Sequence, residues 1–318
     1  MPVLFKKAPG KIILFGEHAV VYGQPAIAIP VTRVNATVRI FPNLDSDHAD
    51  IRLQAPDIGL DADLESLPSD HPLGTAIRLT LGELQLDRIP PLTLQLTSTI
   101  PLSAGMGSSA ATAVAIIRAL SAYLGKPLPP DVVSALAYEV EKIHHGNPSG
   151  IDNNVVAYQQ PVYYKREHAI EFLTIEKPTH WLIADTGETT PTLETVSAVQ
   201  KLLTNDPVGY GDIIQKIGSI VQTARSALIA GDLPGLGQLL DENQRLLEEL
   251  EVSSTKLDTL INAARKAGAA GAKLSGGGRG GNMIALVTEE NISAVESALI
   301  EAGAKRTITT LLTPREDR

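Results

Sequence analysis

One stretch restricts the fold more than any other. The alternating run LTLQLTSTI leads directly into PLSAGMGSSAATAVAIIRAL, which begins at Pro101, and the hydrophobic period changes between them. Leu92, Leu94 and Leu96 recur at every second position, the repeat of a half-buried strand. Val114, Ile117, Leu120 and Leu124 recur at three or four, the repeat of one helix face. Gly105 and Gly107 interrupt both patterns. The chain must therefore pass from a strand through a glycine loop into a helix over 109–124.

The same two periods organise the rest. Val34, Ala36, Val38 and Ile40 alternate with polar residues and predict a strand. The Asp- and Pro-rich stretch 42–71 reads as loop, with one short strand at 51–53. A second helix is expected over 131–145, with Asp131 near its cap and Gly146 as its stop. WLIADTG reads as a buried strand. Helices are expected over 210–230 and 233–251 and in SSTKLDTLINAARKAG. A strand, a glycine loop and a strand follow, then a helix over 291–302 and a strand over 305–312. That order suggests a small α+β sandwich in the second half, with a boundary near Lys177.

Composition narrows the chemistry. The 318 residues contain no cysteine, which excludes disulfides, thiolate metal sites and a cysteine nucleophile. Net charge is −9, so neither a nucleic-acid backbone nor an anionic membrane is the expected partner, although a local site can still hold a nucleotide. The N-terminal order of apolar and basic residues is wrong for a signal peptide, and no apolar run approaches the roughly 18 residues of a membrane span. The expectation is a cytoplasmic protein.

Four segments carry candidate chemistry. GMGSS at a strand-to-helix junction is either a plain helix cap or a phosphate loop. Glycines admit a phosphate to the backbone, helix N–H groups receive it, and serine hydroxyls can bind phosphate or Mg²⁺. In YEVEKIHHGNPSGIDNNV, Glu141 falls near a helix end and Asp152 in the loop beyond it. These are either a solvated helix face and a turn cap, or a metal ligand and a proton acceptor as phosphoryl transfer requires. His144 and His145 are adjacent, so on a helix they diverge by about 100° and do not converge on one ion. In APGKIILFGEHAVVYG, Lys11, Glu17 and His18 border an apolar run and taken singly read as surface residues. In KLSGGGRGGNMIALV, five of the six residues 276–281 are glycine, which makes either a flexible hairpin or an anion-binding loop with Arg279 beside it.

Taken together, APGKIILFGEHAVVYG, PLSAGMGSSAA, HGNPSGIDN and KLSGGGRGGNMIAL resemble, in order, the signature segments of the GHMP kinase family. The GEHAVVYG and HGNPSGIDN strings take the form found in the branch that phosphorylates mevalonate. The resemblance implies an α+β, two-domain GHMP kinase fold. Residues 1–177 would form an N-terminal α/β domain with a left-handed crossover, a hand that chain patterning does not favour. Residues 178–318 would form a ferredoxin-like domain, with the site in the cleft between the two. It implies ATP and mevalonate as substrates, with Mg²⁺, and it is compatible with a homodimer. Carried over by position, Asp152 is catalytic, as base or as stabiliser of the attacking hydroxyl, with Lys11 its partner. Glu17, His18 and Thr192 address the substrate. Pro101, Ser103, Ala104, Gly105, Met106, Gly107, Ser108, Ser109, Gly277 and Arg279 address ATP, and Ser109 and Glu141 the metal. The last segment departs from the usual GAGGGGC-like form. Gly277 stands for alanine, Asn282 for cysteine, and Arg279 for a glycine, where it can meet phosphate, a substrate carboxylate or solvent. Related kinases of other small alcohols, and a non-catalytic nucleotide-binding protein on this fold, are the alternatives.

Overall fold

A computed structural model describes residues 4–43, 51–101, 105–145, 148–188 and 190–314. The chain forms two compact units, which are described separately. The first comprises residues 1–11, 34–101 and 106–159, and the second residues 12–33, 102–105 and 160–318. Where the sequence suggested one cut near 177, the units interleave, because the chain passes from one to the other within each of its first two long strands.

Those strands are β1 (Leu4–Phe15) and β2 (Ala26–Pro42). In the first unit they are followed by β3 (Ile51–Ala55), β4 (Leu60–Asp63), α1 (Pro72–Leu84), β5 (Leu92–Ser98), α2 (Ser108–Tyr123), α3 (Pro130–His145) and α4 (Ile151–Tyr158). The later half of β2 pairs antiparallel with β5, Val38 opposite Leu96 and Ile40 opposite Leu94, so the alternation seen in the sequence is the buried face of this sheet. Strand β3 runs parallel to β5 on its other side, and β4 closes that edge as a hairpin with β3. Parallel neighbours need a crossover, and α1 lies within it. Helix α2 packs against α1, α3 and α4. It is buried nearly all round, from Ala110 to Ser121, which is why its sequence is alanine-rich and not strongly amphipathic.

The stretch 42–71 is more ordered than expected. Residues 44–50 lie outside the described residues, but β3, β4 and short 3₁₀ turns fill the remainder. Asp61, which read as loop polarity, pairs with Arg52 across the β3–β4 hairpin. Residues 151–158, also expected as loop, form α4. Gly150, in the left-handed region at φ 87°, stops the preceding turn and starts this helix.

The second unit contains β6 (Val162–Tyr164), β7 (Glu171–Phe172), β8 (Thr179–Asp185), α5 (Thr192–Asn205), α6 (Pro207–Ala230), α7 (Leu233–Glu249), α8 (Thr255–Lys266), β9 (Gly271–Ser275), β10 (Asn282–Val287), α9 (Ile292–Glu301) and β11 (Arg306–Leu312). Strands β6 and β7 extend from the early half of β2. The other four strands form an antiparallel sheet in the order β11–β8–β10–β9. That order is the split βαβ arrangement of ferredoxin-like folds, with four helices standing where one usually joins the first two strands. Helices α7, α8 and α9 pack on this sheet. Trp181 on β8 is fully buried, and its indole N–H donates to Thr179 Oγ1 at 2.9 Å. Among the described residues, no helix is long and apolar enough to cross a membrane.

Trp181 is the largest fully buried side chain. Replacing it with alanine should destabilise the protein by about 3–5 kcal/mol, read as a lower urea midpoint, because a cavity of that size closes only partly.

Candidate active site

In the first unit, three elements converge on one ion pair. Lys11 lies in the middle of β1 with its side chain 8% exposed, and its ammonium meets Asp152 Oδ1 at 2.9 Å. Its backbone N–H donates to the Met106 carbonyl at 2.9 Å, which ties β1 to the loop before α2. Asp152 sits in the first turn of α4, where the helix dipole favours a carboxylate. Its side chain is 26% exposed, so the pair is not sealed from solvent.

The approach of these groups depends on Gly107. A Cβ there would lie 2.7 Å from Lys11 Cγ and 3.4 Å from Asp152 Oδ2, and φ is +68°. Gly107 is also the N-cap of α2 and offers no side chain to its N–H groups. The first-turn N–H groups of a helix have no intrahelical partner, so the start of α2 points unspent donors toward whatever lies before it. Ser108 and Ser109 open this helix, and Ser109 Oγ donates to Glu141 Oε1 on α3. Glu141 is 2% exposed, so it is not the solvated helix face that its position allowed. A hydroxyl and a carboxylate beside a helix N-terminus are hard oxygen donors, the set Mg²⁺ takes when phosphate oxygens and water complete its shell.

The turn before α4 is braced from α3. Tyr138 OH donates to the Pro148 carbonyl, Asn153 Nδ2 to Ser134 O and Oγ, and Asn154 Nδ2 to the Gly150 carbonyl. Part of the expected Asn147–Gly150 turn lies outside the described residues; in the rest, the Ile151 N–H donates to Ser149 Oγ and Gly150 leads into α4, so Asp152 is held by a helix and not a loop. Ser103 and Ala104 lie outside the described residues, as do Gly146, Asn147 and the side chains of His144 and His145. Pro101 and Met106 are buried, and Gly105 takes φ +66°.

The second unit brings together a different set. Glu17 and Lys273 form an ion pair at 2.5 Å with both side chains 0% exposed. Burial pushes the Glu17 carboxyl upward, opposed by the charge of Lys273, and pushes the Lys273 ammonium downward, opposed by Glu17. A lone charge left in such a place costs about 3–5 kcal/mol, so each group depends on the other. His18 follows with φ 60° and ψ −50°, and the Ala19 N–H donates to the Glu17 carbonyl at 2.6 Å. This is a γ-turn of the rare positive-φ kind, a backbone state worth roughly 1–3 kcal/mol of strain that survives only where surroundings impose it. The imidazole Nε2 lies 2.9 Å from the Gly277 carbonyl and therefore carries the proton. Burial, with Lys273 and Arg279 nearby, holds its pKa below the usual value despite that carbonyl. Nδ1 is left as a buried acceptor without a protein partner among the described residues, and so is Glu17 Oε2.

The glycine loop between β9 and β10 is pinned, not flexible. Arg279 N–H donates to the Val252 carbonyl and Gly281 N–H to that of Glu188, so two of its backbone donors are spent and the loop is less of an anion nest than its composition suggests. A Cβ on Gly278 would lie 2.0 Å from the Val252 carbonyl. Arg279 Nε donates to the Glu251 carbonyl. Gly277 faces the start of α5, where a Cβ would meet Thr192 Oγ1 at 3.2 Å. Thus Glu17, His18, Thr192, Gly277 and Arg279 belong to one unit, and Lys11, Met106, Gly107, Ser108, Ser109, Glu141 and Asp152 to the other. Sequence reasoning passed over Lys273. The signal available was a lone lysine inside an otherwise apolar strand entering the glycine loop.

Comparison with known proteins gives one answer. Residues 73–160 match the model of the GHMP kinases N terminal domain, and residues 224–305 that of the GHMP kinases C terminal domain. The chain is 36% identical over 318 residues to a mevalonate kinase of Thermococcus sibiricus, covering 95% of this chain and 94% of that one. It is 37% identical over 312 residues to the mevalonate kinase of Pyrococcus horikoshii, covering 93% and 92%. Among solved structures, the L. major mevalonate kinase in complex with R-mevalonate superposes with a TM-score of 0.83 at 29% identity, covering 98% of this chain and 96% of that one. The four motifs, the fold and these relatives agree, and the chain belongs to the GHMP kinase family, within its mevalonate kinase branch.

Proposed function

We propose that the protein transfers the γ-phosphoryl group of ATP to the C5 hydroxyl of (R)-mevalonate, giving 5-phosphomevalonate and ADP. The observation that carries this reading is the Lys11–Asp152 pair beside the uncapped start of α2. Relatives named as mevalonate kinases and a structural neighbour solved with R-mevalonate support the choice of acceptor.

The residues divide the work as follows. Backbone N–H groups at the start of α2 hold the donor phosphates, with Ser108 beside them. Ser109 and Glu141 hold Mg²⁺, which when bound neutralises charge on the β- and γ-phosphates. Lys11 fixes Asp152 through Oδ1, so Oδ2 is the oxygen that orients the acceptor hydroxyl. As the hydroxyl oxygen bonds to phosphorus and the bond to the ADP oxygen breaks, the hydroxyl proton passes to Asp152. Phosphoryl transfer asks for little covalent chemistry from the protein, so this positioning is the larger part of catalysis. Glu17, His18 and Thr192 bind the acceptor.

ADP release should be fast with mevalonate and at least about a hundredfold slower with phosphomevalonate, galactose or homoserine, a ratio expected where buried polar groups are matched to one substrate. A faster rate with any of those three would replace mevalonate as the acceptor. Asp152→Ala should lower kcat by about 10²–10⁴-fold, the usual range for a positioned acid–base group, while leaving the KM for ATP within about twofold. Turnover near wild type in that variant would remove Asp152 from the mechanism. Gly107→Ala should lose most activity while remaining folded, because its Cβ displaces Lys11. Ser109→Ala and Glu141→Ala should both raise the Mg²⁺ concentration needed for half-maximal rate, and an unchanged requirement in both would reject the ligand assignment.

A further inference from the structure

The buried Lys273 has no role in the mechanism above, yet it is the counter-charge of a residue assigned to the acceptor. Its ammonium reaches Glu17 Oε1 and the Leu274 carbonyl, both at 2.5 Å. The first joins the turn after β1 to the strand that enters the glycine loop, and the second stays within that strand. Two further bonds run the same way as the first. Ser275 Oγ donates to the Ile13 carbonyl at 2.7 Å, and His18 Nε2 to Gly277 O. Between them lies the strained γ-turn at His18. Gly16, just before it, has no room for a side chain, since a Cβ would lie 2.4 Å from the Pro25 carbonyl. A backbone state of that kind persists only when its surroundings over-determine it. The one ionic contact among these restraints is Lys273 to Glu17.

We propose that Lys273 is a positioning residue for the acceptor: by clamping Glu17 it holds His18 in its γ-turn, with Nε2–H on the Gly277 carbonyl and Nδ1 turned to serve as an acceptor. This rests on the reading of Glu17 and His18 as acceptor-binding groups. Without the clamp the turn relaxes, the imidazole no longer keeps one tautomer, and acceptor binding suffers, while the start of α2 that holds the donor phosphates belongs to the other unit and is unaffected.

The test is a double-mutant cycle of Lys273→Met, Glu17→Gln and both together, with two readouts. The first is steady-state kinetics with mevalonate and ATP varied separately. Each single variant should raise the acceptor KM about tenfold and leave the ATP KM within about twofold, and the double should be no worse than the poorer single, because both changes break one contact. A merely structural role would lower thermal stability and total active enzyme without that split. The second readout is ¹⁵N NMR of the histidine rings, with His18→Gln to assign the signal. Wild-type His18 should show a single Nε2–H tautomer, and the variants a mixture. If Lys273→Met leaves too great a charge buried to fold, the double variant, which removes both charges, carries both readouts. A wild-type acceptor KM with unchanged His18 ring shifts in any folded variant that lacks Lys273 would overturn the proposal. So would effects that multiply in the double. A wild-type protein that does not consume mevalonate would instead overturn the acceptor reading, and the ring shifts would still decide the role of Lys273.

Discussion

The space beside Gly107 is the constraint on which the first unit is arranged. Lys11 and Asp152 come from residues far apart in the sequence, one from a strand and one from the first turn of α4. They meet at 2.9 Å only because the residue that caps α2 has no side chain. The same absence leaves the first N–H groups of α2 unspent. One glycine therefore shapes both the charge pair and the start of α2, so the two cannot be altered independently. The rest of the unit keeps this junction still. Helix α2 is gripped by α1, α3 and α4, and α3 both supplies Glu141 and braces the turn before α4.

The second unit solves a different problem. There the backbone at His18 sits in a sparsely populated positive-φ turn, with buried polar contacts on either side of it. Buried ion pairs contribute little net stability against an apolar replacement. Their presence here is better explained by what they fix than by how much they stabilise. The glycine loop behaves in the same way. Its composition suggests freedom, but at Gly278 and Gly280 the missing side chains let carbonyls of Val252 and Glu188 come close enough to lock it.

Much of this was legible in the sequence, for reasons that can be named. Alternation in β2 and β5 was readable because each has one buried face. Helices α6, α7 and α8 were readable because each has caps and an apolar stripe, although α6 begins at Pro207, a turn earlier than expected. Helix α4 was missed because eight residues hold too few turns to show a period, although Gly150 followed by buried Ile151 and Val155 was a usable signal. Helices α1 and α5 were not anticipated, since glycine, threonine and proline near their starts blur the apolar stripe. The interleaving of the two units leaves no local pattern at all, since it depends on where long strands travel. Lys273 was invisible for a related reason. A lysine in a sequence is presumed solvated, and only the fold reveals that its partner lies 256 positions away.

The site followed from company more than from any one residue. Lys11, Glu141 and Asp152 each had an ordinary surface explanation, and four motifs in order outweighed all three. One oxygen of Asp152 is held by Lys11, and the proposed phosphorylation of mevalonate assigns the other to the hydroxyl. The most direct test of that account is the identity of the product. The protein incubated with (R)-mevalonate and Mg·ATP should yield, by ³¹P and ¹³C NMR, a single phosphomonoester whose phosphorus couples to the C5 methylene. A phosphorus signal on the C3 oxygen, or ADP formed without any phosphorylated mevalonate, would contradict it.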